Sequence, residues 1–258
     1  MFEIQNPEKF KEIAGYTIDG IWYPRVTKIL EIKSKPALYR YYGEAASYKA
    51  AQEATEKSAE EGTLLHETVQ KLIIGEKADI PPSIAPAVNA TMEFVEKNNI
   101  IFDKDFIEKR IVNYDARYAG TIDALALIGG KVGVLDIKTS QAIYRDYNLQ
   151  TAAYMPSLAR DVKSLQTRWI FRIDQQKTCL RCGAMLRPKG GREKIRPAFP
   201  RNGKRFCEDG QHEWSDLKGI IELKEFPYWK ADFEAFLSAK GLWEWENENI
   251  LRKVGYIA

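Results

Sequence analysis

One stretch of this 258-residue sequence, TIDALALIGGKVGVLDIKTS from Thr121 to Ser140, gathers residue types that do chemistry. Gly129-Gly130, between two apolar runs, is a two-residue hairpin signal. Around that turn Asp123 falls directly opposite Asp136, and directly opposed Cβ atoms in a sheet sit roughly 4.5–5.5 Å apart. Period-two alternation sets Lys138 on the same face, with Leu125, Leu127, Val132 and Val134 nearer the turn. Two acids and a lysine therefore end an otherwise apolar face. Opposed like charges destabilise a sheet, and burial raises the penalty. A hard divalent cation such as Mg²⁺, which takes oxygen ligands, would relieve it. The alternative is a plain Lys138–Asp136 pair at a wet sheet edge.

Three further groups could converge on these acids. His66, in GTLLHETV, borders the apolar stripe of a helix, although a lone helix histidine is usually structural. Glu108 lies on the preceding strand, within reach of a second cation or a water. Gln150 and Tyr154 are spaced i,i+4 and share one helix face. Packing at a helix–sheet seam is the plainer account of that pair.

A second constellation is CLRCGAML followed by CEDGQHEW. Cys179, Cys182, Cys207 and His212 form a C-x2-C…C-x4-H set, enough ligands for tetrahedral Zn²⁺. These are all three cysteines and one of the two histidines of the chain. The odd count disfavours a disulfide framework. An iron–sulfur cluster is the lesser alternative. Four protein ligands leave no open position, so a zinc ion here would be structural rather than catalytic. The intervening RPKGGREKIRPAFPRNGKR has too few apolar residues for its own core, which a metal would replace.

Charge singles out the same segment. The chain carries 39 Lys/Arg and 36 Asp/Glu, a net of +3. Thr178–His212 alone holds nine basic and three acidic residues, leaving the remainder slightly acidic. Clustered cations with few acids suit a polyanion, and Arg192, Lys194 and Arg196 are the candidate contacts; a solvated loop is the competing account. Apolar residues at 45% and aromatics at 12% exclude disordered, collagen-like and coiled-coil chains. No apolar run reaches the ~18–20 residues of a membrane helix. The polar N-terminus fits neither a signal nor a transit peptide, which points to a cytoplasmic protein of prokaryotic or phage type.

The elements that must position these residues follow from periodicity. Ile21–Ile32 reads as an extended lead-in with a short helix or strand. Ala37 to about Ile74 is helical with a break near Glu61-Gly62, and Pro81-Pro82 opens a helix to about Lys97. Phe106–Tyr114, Tyr118–Ile128 and Lys131–Thr139 read as strands, and Tyr144–Asp161 as a helix. Arg168–Ile173 and Gly219–Phe226 read as strands, and Trp229–Val254 as a closing helix. This order predicts an α/β (α+β) core with a central mixed β-sheet flanked by helices. The cysteine segment becomes a zinc-ribbon-like insertion in a late β-hairpin. Three regions result: a helical N-terminal region over 1–100, a core over 101–177 and 213–258, and a basic insertion over 178–212. The tyrosine- and lysine-bearing stretch Tyr39–Lys57 would form an arch or wall beside the site.

Together these residues resemble the PD-(D/E)xK nuclease superfamily, and within it the RecB-like branch of phage, CRISPR-associated and mitochondrial genome maintenance exonucleases. RYAGTIDALALIGGKVGVLDIKTS carries the G-x-x-D and D-x-K core at Gly120, Asp123, Asp136 and Lys138. LQTAAYM carries the Q-x-x-x-Y motif at Gln150 and Tyr154, GTLLHETV the upstream histidine, and YPRVTKIL the lead-in. The match runs from Tyr23 to Ala159. Relatives with an iron–sulfur cluster carry four cysteines flanking the core, whereas here three cysteines and a histidine sit in a late insertion. No helicase-type G-x-x-x-x-G-K-[ST] occurs.

The resemblance implies a restriction-endonuclease-like core and metal-dependent hydrolysis of DNA phosphodiester bonds. Mg²⁺ or Mn²⁺ would be held by Asp123, Asp136, the Ile137 carbonyl and His66. Lys138 would orient the attacking water or neutralise developing charge, Gln150 and Tyr154 would position phosphate or support Lys138, and Glu108 would serve a second cation. The expected activity is an exonuclease on single-stranded or free-ended DNA, alone or as a subunit of a larger assembly. A flap or branch endonuclease is one alternative. A non-catalytic nucleic-acid-binding protein using the zinc ribbon is another. A protein partner docking on the insertion is compatible with each.

Overall fold

The computed structural model describes residues 6–45, 47–198, 207 and 211–257. The N-terminal helix α1 (Pro7–Ala14) starts where the Asn6 side chain accepts hydrogen bonds from the Glu8 and Lys9 N–H groups at 3.0 and 3.2 Å, an ordinary N-cap. A small hairpin of β1 (Gly15–Ile18) and β2 (Ile21–Pro24) and a short helix α2 (Val26–Ile29) follow. Then come α3 (Pro36–Glu44), α4 (Tyr48–Ile73) and α5 (Ala85–Lys97).

The strands are β3 (Ile101–Phe102), β4 (Lys109–Asn113), β5 (Tyr118–Ile122), β6 (Ala124–Ile128) and β7 (Lys131–Lys138). Helix α6 (Tyr147–Asp161) leads into the long strand β8 (Leu165–Thr178). Next are β9 (Met185–Lys189), β10 (Arg192–Arg196) and β11 (Lys218–Glu225). Helices α7 (Lys230–Glu246) and α8 (Glu248–Lys253) close the chain.

Seven strands form the central sheet in the order β10-β9-β8-β7-β6-β3, with β11 also paired to β8. β7 and β8 are parallel and joined through α6; the other ladders are antiparallel. A parallel pair needs such a crossover, and a mixed sheet is the result. Helices cover both faces. Val134 packs with Tyr154, Met155 and Leu158 of α6, Phe236 and Trp243 of α7, and the N-terminal Phe10, Trp22 and Val26. Leu135 and Ile137, which alternate to the other face, pack with Leu65 and Val69 of α4, Ile84, and Ala87 and Val88 of α5. The predicted α/β core with a helix-flanked mixed sheet is the observed architecture.

Four local expectations are corrected. The helical stretch is divided between α3, which ends at Glu44, and α4, which starts at Tyr48 and runs through Gly62 without interruption. The glycine is there because α4 presses on the end of β7: a Cβ at 62 would lie 2.6 Å from Thr139 Oγ1. The expected strand Tyr118–Ile128 bends at Asp123, so β5 pairs with β4 in a separate sheet while β6 stays in the central one. The last helix divides at Asn247, the C-cap of α7, whose Nδ2 donates to the Trp243 carbonyl at 2.7 Å. Finally, the insertion is more than a metal loop. β9 and β10 form a hairpin that extends the central sheet past β8.

Candidate active site

The site is built on the β6–β7 hairpin. Gly129 and Gly130 adopt positive φ (56° and 80°), as a two-residue type I′ turn requires. The ladder has the register expected from the sequence, Leu125↔Val134 through Ile128↔Lys131. It stops at Ala124↔Leu135, one step before the two acids. There the backbone bends, and the Asp123 carboxylate accepts the Ile137 N–H at 2.6 Å. Asp136 stays in β7, fully buried and facing α6.

Two groups of side chains meet at this hairpin end. On the α4 side, His66 Nε2 is 3.1 Å from Asp123 Oδ2, and its Nδ1 is 4.0 Å from Glu108 Oε1. One ligand atom from each of His66, Glu108 and Asp123 lies within 4.8 Å of the others. Glu108 sits in a left-handed turn (φ 49°) just before β4, and its N–H donates to the Asp123 carbonyl at 3.2 Å. On the α6 side, Lys138 Nζ is 2.7 Å from Asp136 Oδ2 and donates to Gln150 Oε1 at 3.1 Å. The Gln150 amide nitrogen in turn donates to Asp136 Oδ1 and to the Tyr154 hydroxyl, both at 3.0 Å. One glutamine thus fixes both members of the acid–lysine pair. Gly120 lets Tyr154 in, since a Cβ there would lie 2.5 Å from its ring. A cleft of about 590 Å³ opens along α4, lined by Gly62, His66, Gln70, Glu108, Ile137, Lys138 and Thr139 among others.

Electrostatics separates the two acids. Burial pushes Asp136 up to about 6; Lys138 opposes this and the Asp123 charge adds to it. Burial also acts on Asp123, but the His66 hydrogen bond and charge, Lys138 and the Ile137 N–H together hold it below the usual carboxylate range. Burial disfavours the charged forms of His66 and Lys138. The Asp123 hydrogen bond and the neighbouring carboxylates outweigh this for His66, and Asp136 and Asp123 do so for Lys138; both are held above their ordinary values. Asp136 Oδ2 is a buried oxygen with no hydrogen bond of good geometry, despite the nearby ammonium.

The sequence reasoning overlooked Gln70, which donates to Glu108 Oε1 from one turn beyond His66. Its i,i+4 spacing from His66 was the available signal. It also overlooked Tyr147, whose ring lies 5.2 Å from Lys138 Nζ.

The cysteine cluster lies at the base of the β9–β10 hairpin. Cys179 and Cys207 sulfurs are 3.9 Å apart, and Cys182 Sγ is 3.4 Å from His212 Nδ1. Zn–S and Zn–N bonds of about 2.3 and 2.0 Å in a tetrahedron imply S···S and S···N separations of about 3.8 and 3.5 Å. Burial opposes ionisation of Cys179, but N–H donors from Cys182 and Arg181 and the His212 hydrogen bond bring it down to about 5. Burial and the two neighbouring sulfurs push Cys207 up to about 11. Burial is likewise outweighed at Cys182 by N–H donors, which hold it below the ordinary thiol value, and three sulfurs beside an imidazole are a donor set suited to a soft or borderline cation.

Of the basic residues, Arg192 reaches back to the helical arm. Its guanidinium bonds the Tyr41 hydroxyl, the Ala54 carbonyl at 3.2 Å and Ser58 Oγ at 3.0 Å. Lys194 and Arg196 are exposed along the same face of β10. The hairpin turn also grips α4, with the Gly190 N–H donating to Glu61 Oε2 at 2.9 Å, while Lys189 bonds the Thr139 carbonyl.

No family model and no curated protein matches the chain. Solved structures similar to it include two of one exonuclease. The alkaline exonuclease LHK-Exo from Laribacter hongkongensis is 13% identical over 97% of this chain and 100% of that one, with a TM-score of 0.37. LHK-Exo in complex with dAMP is 13% identical over 92% and 95% of the two chains, with a TM-score of 0.34. Both similarities are distant. Among the described residues no helix is long and apolar enough to cross a membrane.

Proposed function

We propose that this chain is a metal-dependent deoxyribonuclease of the PD-(D/E)xK type, RecB-like branch, acting as an exonuclease on single-stranded or free-ended DNA. One observation carries the reading. A histidine–carboxylate cluster and a buried acid–lysine–glutamine–tyrosine network meet at one hairpin end, beside an open cleft.

The residues fit a divalent cation. Asp123, His66 and Glu108 offer oxygen and nitrogen ligands in one small volume, and Asp136 is buried next to them with its Oδ2 paired to Lys138 Nζ at 2.7 Å. Asp123, Asp136, the Ile137 carbonyl and His66 would hold Mg²⁺ or Mn²⁺, and the imidazole makes Mn²⁺ more competitive than an all-oxygen site would. A bound cation of this kind lowers the pKa of a water and polarises the scissile phosphate. Lys138, held cationic by the two carboxylates, neutralises charge on the phosphate as attack proceeds. Gln150 keeps that ammonium aimed by accepting its hydrogen bond, and Tyr154 holds the Gln150 amide in turn. Gln70 orients Glu108, which serves a second cation or a water. Cys179, Cys182, Cys207 and His212 hold a structural zinc, and Arg192, Lys194 and Arg196 lend a cationic surface to the DNA.

The test is cleavage of an end-labelled DNA strand in Mn²⁺ by Asp136→Ala and Lys138→Ala proteins. Both are expected to be essentially inactive, and near-normal cleavage by either would sink the assignment. Circular single-stranded DNA should resist the wild-type protein, because an exonuclease needs an end. Cutting of the circle would make it an endonuclease.

A further inference from the structure

Helix α3 poses a packing problem. Its described side chains include Tyr39, Tyr41 and Tyr42, yet none of them is buried. Three aromatics on a nine-residue helix outside both apolar cores contribute little to the fold. They are nonetheless ordered among themselves. Tyr41 and Tyr42 ring centroids are 5.7 Å apart, and Tyr42 lies 5.2 Å from Tyr48 at the start of α4, with planes tilted by only 31°. Tyr39 and Tyr48 are 62% and 68% exposed. Arg192 of the β10 strand stacks on Tyr41 at 4.8 Å, so the aromatic row continues into a cationic one. Lys194 and Arg196 then follow at alternate positions of an exposed strand.

We propose that Tyr42 and Tyr48, flanked by Tyr41 and Arg192, form a base-stacking platform for single-stranded DNA, with the β10 cations tracking its phosphates. The inference rests on the nuclease reading above for the direction in which the strand runs. Ring faces accept any base, so the contact is independent of sequence. The platform is not loose relative to the cleft, because Arg192 and Gly190 fasten the hairpin to Ala54, Ser58 and Glu61 of α4. Along that same helix Tyr48 is about 27 Å from His66 at ~1.5 Å per residue. A stacked strand advances ~3.4 Å per nucleotide, so roughly eight nucleotides connect platform and cleft. Shorter strands can occupy the cleft without touching the tyrosines.

The experiment compares fluorescein-labelled dT4 and dT16 by anisotropy with Ca²⁺ in place of Mg²⁺. In the Tyr42→Ala/Tyr48→Ala protein, dT16 is expected to bind roughly ten-fold more weakly or worse, with dT4 binding unchanged. The salt dependence should keep its slope, since stacking releases no counterions. Tyr42→Phe/Tyr48→Phe keeps both packing and stacking and should bind dT16 like the wild type. Unchanged dT16 binding by the alanine protein, or equal losses on dT4 and dT16, overturns the platform. A wild-type protein that shows the length-dependent tyrosine effect but cuts nothing in Mn²⁺ overturns the nuclease reading and leaves the platform in place.

Discussion

Replacing Gly62 by Ala is expected to impair activity much more than folding. A Cβ at 62 would lie 2.6 Å from Thr139 Oγ1, whereas ordinary contact begins near 3.4 Å. About 0.8 Å must therefore be found between α4 and the end of β7. Helix propensity alone favours Ala over Gly by ~1 kcal/mol, which offsets part of the cost of that shift, so the folded state tolerates the change. The site is less forgiving. His66 is one turn further along α4 and Thr139 directly follows Lys138, so the displacement opens the 3.1 Å contact between His66 and Asp123. Misplacement on the order of 1 Å costs up to ~10²-fold in rate. We expect kcat/KM on an end-labelled strand in Mn²⁺ to fall roughly 10- to 100-fold, with Tm shifted by only a few degrees. Thr139→Ala removes the obstructing atom. In that background Gly62→Ala should cost little, and the cycle of four proteins measures the coupling. Wild-type activity in Gly62→Ala, or an undiminished loss in the Thr139→Ala background, would refute the reasoning.

Three other outcomes follow from the geometry. In the cation-free protein Asp136 is raised from 3.8 to about 6, so its contribution to stability is fully present below pH ~3.8 and is lost as pH rises through about 6. A cation needs the carboxylate free and His66 neutral, so Mn²⁺ affinity measured by calorimetry should climb from pH 5 to pH 7, and a flat profile would contradict this. Elemental analysis should find one zinc per chain, reduced in Cys207→Ser, whose Tm should no longer respond to a zinc chelator. Arg168→Leu should lower stability by about 3–5 kcal/mol in a denaturant melt, because Arg168 is fully buried against Asp232 and the carbonyls of Asn148, Phe226 and Tyr228.

The parts of the site that were legible in the sequence are those fixed by local rules. Gly129-Gly130 dictates a turn type, the turn dictates the register, and the register brings Asp123 and Asp136 to one hairpin end. The i,i+4 spacing of Gln150 and Tyr154 likewise fixes their common face. What was not legible depends on distant partners. Nothing near Asp123 announces that the chain changes sheets there, because the pairing that divides the strand comes from β4 on one side and β7 on the other. Gly62 looks like a helix breaker until Thr139 is placed against it. The strands β9 and β10 were hidden by composition: a run of prolines, glycines and charges reads as loop unless β8 extends to offer it an edge. The same extension brought the Arg192 cation to Tyr41, a contact across 151 positions of chain.

The two ends of the main strand order, β3 and β10, differ in how they avoid self-pairing. β3 ends the sheet with only two residues, too short to recruit another strand. β10 is longer and presents unpaired backbone groups to solvent, but every residue on it is exposed and four of the five are charged. Charged edges discourage the addition of a foreign strand. The charges of β10 therefore discourage self-pairing along that margin, whatever else they touch. Variants that neutralise Lys194 and Arg196 to probe DNA binding should be Gln rather than Ala, with sedimentation at working concentration alongside, since aggregation would mimic a change in affinity.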